Sequence, residues 1–74
     1  MNKERRTELE KIVTALEEIK IRVESVQESE QEAFDNMPES LQGSERGESM
    51  TEALDCLESA VNGLEDVISS LNEL

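Results

Sequence analysis

LEKIVTALEEIKIRVESV, running from Leu9 to Val26, decides the fold. Its apolar residues Leu9, Ile12, Leu16, Ile19, Val23 and Val26 alternate steps of three and four. That spacing puts one apolar stripe on one side of an α-helix. Glu30 and Ala33 continue the count, which gives a heptad register with 9, 16, 23 and 30 at the a position and 12, 19, 26 and 33 at d. The stripe is narrow, and only Val13 and Phe34 widen it. No Pro or Gly interrupts residues 1–36, so a single helix from about 4 to 36 is expected, on the order of 50 Å long.

Downstream, Asn36-Met37-Pro38 stops the helix, because the residue before proline avoids the α region. Pro38 then opens a short helical turn at 38–42, inside a connecting loop at 37–47 marked by Gly43, Ser44 and Gly47. A second stripe follows: Met50, Leu54, Leu57, Val61, Leu64, Ile68 and Leu71, again in steps of four and three. Ala53, Ala60, Val67 and Leu74 extend it on one side. Ser49-Met50-Thr51-Glu52 fits a capping box, with Ser44 as the alternative cap. The second helix is expected at about 48–73, passing through Gly63, which costs roughly 1 kcal/mol relative to Ala.

Two long stripes joined by a short loop imply an all-α chain, a single antiparallel two-helix hairpin over residues 1–74. With the turn near Gly43, facing residues sum to roughly 86, so Val26 meets Ala60 and Ile19 meets Val67. The expected core comprises Leu9, Ile12, Leu16, Ile19, Val23 and Val26 on one helix. On the other it comprises Leu54, Leu57, Val61, Leu64, Ile68 and Leu71. Each helix has one neighbour, and the second stripe is wider than one neighbour covers. Two hairpins pairing into a C2 four-helix bundle would cover it, and so would a different helical partner.

The 74 residues hold 19 Asp plus Glu against 7 Lys plus Arg, for a formal charge of −12. There is no His and a single Cys, Cys56. A zinc site, a Ser-His-Asp triad and an internal disulfide are therefore not expected. Gly43, Gly47 and Gly63 match no phosphate-binding loop, so no cofactor is expected. No apolar run approaches a membrane span, and the N-terminus lacks the apolar core of a signal peptide. A soluble cytoplasmic protein is expected. Residues 1–22 hold six of the seven cations, and from Val23 onward Arg46 stands alone against fourteen acids. Such a surface repels nucleic acid and anionic lipid and attracts basic partners.

Three features are candidates for function. Glu24, Glu28 and Glu32 stand four apart near Asp35, and Glu52 and Asp66 share an outer column of the second helix. Carboxylates at that spacing lie ~5–6 Å apart, comparable to phosphates along a duplex, although a solvated acidic helix face looks the same. Phe34, Met37 and Leu41 cluster at the turn with Arg46 nearby; they either plug the end of the hairpin or anchor a partner. Lys3, Arg5 and Arg6 lie where they can pair with the acidic end of the second helix. Glu30 at an a position either sets register or reaches out to water. Cys56 is expected to be an inert thiol and Ile21 a lone surface isoleucine. The pairs Glu17-Glu18 and Glu65-Asp66 lack the polar constellation that acid–base catalysis needs.

The turn FDNMPESLQGSERGE, Phe34 to Glu48, together with the following MTEALDCLESAVNGLEDV, resembles small acidic helical proteins encoded by phages and mobile elements of Gram-positive bacteria. The resemblance covers the turn and second helix, about half the chain, and brings no catalytic residue and no partner. It implies a helical hairpin in the cytoplasm of a bacterial host and, by analogy with small acidic phage proteins, one that binds and inhibits a host or defence protein. Three readings follow: a non-catalytic protein-interaction module, a nucleic-acid mimic that occupies a basic groove, and a structural or regulatory homodimer.

Overall fold

A computed structural model describes all 74 residues, and it is all-α. Helix α1 spans Lys3–Asp35, α2 is the short Glu39–Gln42, and α3 spans Glu45–Asn72. Asn2 caps α1, its side chain accepting from the Arg5 N–H at 2.9 Å. At the other end the Asn36 N–H still donates to Glu32 O, and the Met37 N–H tightens onto Phe34 O. Pro38, with extended backbone, then caps α2 and does not occupy its first turn. The short helix therefore begins one residue later than the sequence suggested.

The start of α3 differs more. It begins a turn earlier than 48, because Ser44 and not Ser49 is its cap. Ser44 Oγ accepts from the Gly47 N–H at 3.4 Å and donates to Leu41 O. Gly47 is buried in this first turn against the end of α2. A Cβ there would overlap the Gln42 carbonyl and come within 2.8 Å of Leu41 O. Glycine is what lets α2 and α3 meet this closely.

The contacts between α1 and α3 run in opposite chain order. Arg6 Nη1 donates to Leu74 O at 3.0 Å, Lys20 Nζ lies 3.2 Å from Glu65 Oε1, and Phe34 lies beside Thr51 and Leu54. Lys20 and Glu65 sum to 85. The result is a rod of 58 × 15 × 12 Å.

The seam between the long helices holds Leu9, Val13, Leu16, Lys20, Val23, Gln27, Glu30, Phe34 and Met37 on one side, each half-buried. Met50, Leu54, Leu57, Val61, Leu64, Ile68 and Leu71 face them. Val61, at 7% exposure, is the single buried apolar side chain. Of the residues expected in the core, Ile12, Ile19 and Val26 lie outside the seam and are exposed. The second inner row of α1 is instead Val13, Lys20, Gln27 and Phe34. One neighbouring helix covers only about a 100° arc, and α3 has settled over the side of the stripe that Val13 and Phe34 widen. Glu30 is half-buried in the seam without an ion pair.

Candidate interaction surface

The displaced residues form a surface of their own. On α1, Ile12, Ile19, Val26 and Ala33 each follow a seam residue by three positions; on α3, so do Ala53, Ala60, Val67 and Leu74. With the same offset on each helix and contacts that run in opposite chain order, these flanking columns turn to the same side of the rod. In the register set by Lys20 and Glu65, the columns pair level by level: Ile12 with Leu74, Ile19 with Val67, Val26 with Ala60, and Ala33 with Ala53. Ile19 is 43%, Val26 58% and Val67 47% exposed. The outcome is an apolar band along the rod, interrupted toward the turn by Glu30, which lines a shallow depression with Ser25, Val26, Ser29 and Ala33. Its outer border on α3 is Ser49, Cys56, Gly63 and Ser70, all small, and nothing lies within 4 Å of a Cβ built on Gly63.

The other side of the rod is polar. Lys20 and Glu65 cross the seam there, in a shallow depression shared with Glu17, Ile21, Ile68 and Ser69. This is the one ion pair in the structure, with both side chains partly exposed, worth about 0–1 kcal/mol.

The acidic residues do not form one face. Glu24, Glu28 and Glu32 bound a shallow depression with Gln27 and Gln31 on the outside of α1. Gln31 Nε2 also donates to Asp35 Oδ1 at 3.0 Å. Glu52 and Asp66 point away from α1 on the far edge of α3, so the two acidic columns stand on opposite edges of the rod. No group of three or more His, Cys, Asp or Glu side chains is placed to hold a metal ion. Cys56 is exposed and free.

At the turn, Phe34 and Met37 are half-buried, and Leu41 is 49% exposed. Gln42 Nε2 donates to both Phe34 O and Met37 O at 3.1 Å, so it gives the Met37 carbonyl a partner and adds a second bond to Phe34 O, which already accepts from the Met37 N–H. Arg46 is exposed and makes no ion pair. The roles of Gln42 and Gly47 were not legible beforehand, since the first depends on how the chain folds back after α1 and the second on where α3 begins. The exposed band had a sequence signal: Ala53, Ala60, Val67 and Leu74 already extended the second stripe to one side.

No helix is long and apolar enough to cross a membrane. Comparison with known proteins finds no matching family model, no matching curated protein and no matching solved structure.

Proposed function

We propose that this chain is a non-catalytic helical interaction module. In this reading α1 and α3 form an antiparallel hairpin, and two hairpins pair into a four-helix bundle through the apolar band. The paired rods then present the turn and the outer carboxylates to a protein partner. The observation that carries the reading is the exposure of Ile12, Ile19, Val26 and Val67 on one side of a chain with a single buried apolar side chain. Apolar side chains gathered on one side of a surface mark an interaction site, whereas scattered ones do not. The resemblance to small phage and mobile-element proteins suggests a partner in the bacterial host whose activity the module blocks.

A second reading, the nucleic-acid mimic, draws on the charge distribution. Residues 23–63 hold eleven acids and Arg46 alone as cation, and this half of the rod would suit a basic groove.

Binding to a candidate host protein, compared between two variants, separates the readings. Loss of salt-resistant binding in Phe34→Ala/Leu41→Ala supports the turn as an apolar anchor. Loss in Glu24→Gln/Glu28→Gln/Glu32→Gln, with competition by DNA or RNA and release at moderate salt, supports the mimic. Binding untouched by either variant set removes both surfaces from the account.

A further inference from the structure

We propose that a second copy of this chain covers the apolar band with the two turns at opposite ends of the assembly. This deepens the self-pairing reading and rests on it.

The area fits a second copy. The chain exposes 5664 Å², whereas a compact protein of its 8.3 kDa mass exposes about 4,600 Å². The excess is on the order of 1,000 Å², against the ~800 Å² that each partner contributes to a standard stable interface. The band runs along the rod, and an identical rod matches its length and its apolar character.

Two arrangements place the band on itself with the rods aligned. A two-fold along the rod puts the turns together; a two-fold across it puts them apart. Side-chain size decides against the first. The band tapers from Ile12 and Leu74 at the open end, through Ile19 with Val67 and Val26 with Ala60, to Ala33 and Ala53 at the turn. With the turns together, four alanines would meet at one end and four large side chains at the other, and the rods would splay. With the turns apart, each large pair lies over a small pair, and every layer has a similar volume, as close packing requires.

Charge decides the same way. The turn half, residues 23–63, carries eleven acids and one cation; the remaining open end carries eight acids and six cations. Turns together would set a surplus of ten negative charges against another ten. Turns apart set each surplus of ten against one of two, bringing Lys3, Arg5, Arg6 and Lys11 alongside the partner's acidic end.

The test is a distance measurement between spin labels on Ser40→Cys in a Cys56→Ser background, using the full chain, with its mass measured in parallel. Turns apart give a label separation of about 50 Å, from the ~1.5 Å rise per residue between the centre of the band and the turn. A separation of about 20–30 Å, as expected for neighbouring rods with adjacent turns, overturns the arrangement and leaves self-pairing intact. A monomeric mass with no dipolar signal overturns both. A companion variant, Ile19→Glu, is expected to give a monomeric mass with its helical signal retained; a dimer persisting in Ile19→Glu excludes this face.

Discussion

Lys20 Nζ stands 3.2 Å from Glu65 Oε1 across one side of the α1–α3 seam, while their near neighbours Ile19 and Val67 lie exposed on the other side. This pair marks the level at which the helices meet, but it is partly solvated. Replacing both residues with Ala is expected to show a coupling of about 0.2–1 kcal/mol in a double-mutant cycle, shrinking as salt rises. Urea unfolding of the four chains at low and high salt measures it.

Val61 should matter more than any ion pair. It is the most buried apolar side chain, and Val61→Ala removes about two methylene equivalents, on the order of 2 kcal/mol. For a chain of this size that lowers Tm by about 10 °C. Thermal unfolding followed by circular dichroism provides the check.

The glycines of α3 are expected to respond in opposite directions. Gly47→Ala forces α2 and α3 apart, because the new Cβ meets the Gln42 and Leu41 carbonyls, and should cost about 1–3 kcal/mol. Gly63→Ala meets open space and should raise helix stability by about 1 kcal/mol. Denaturant midpoints of the two variants test the pair, and a neutral Gly47→Ala would remove the close approach from the account.

Much of this was legible beforehand, for local reasons. The helical class follows from the three–four periodicity around Leu16, and the stop at Asn36-Met37-Pro38 follows from proline sterics. What periodicity cannot do is choose which part of a wide stripe a single neighbour takes. Ile12 and Val13 are adjacent in sequence, yet one is exposed and the other faces α3. The beginning of α3 was ambiguous for a similar reason. Ser44 and Ser49 both offer a cap, and the choice rests on whether Gly47 can lie against Leu41 and Gln42, a tertiary contact. The acidic residues were readable as columns, but their separation onto opposite edges appears once the helices are placed together.

Glu24, Glu28 and Glu32 repel one another at i,i+4 spacing along the outside of α1. Changing all three to Gln is expected to leave the fold intact and to stabilise it by about 0.5 kcal/mol at low ionic strength. Thermal melts at low and high salt test this, and the difference between wild type and variant should narrow as salt is added. A destabilised variant would mean that these carboxylates hold contacts within the chain.

Self-pairing through the apolar band is the central claim, and sedimentation equilibrium across a wide concentration range tests it most directly. The account predicts a mass of twice 8.3 kDa for the wild type, strengthened by salt as the −12 charges are screened. A wild-type mass that stays at 8.3 kDa at every concentration and salt would contradict it.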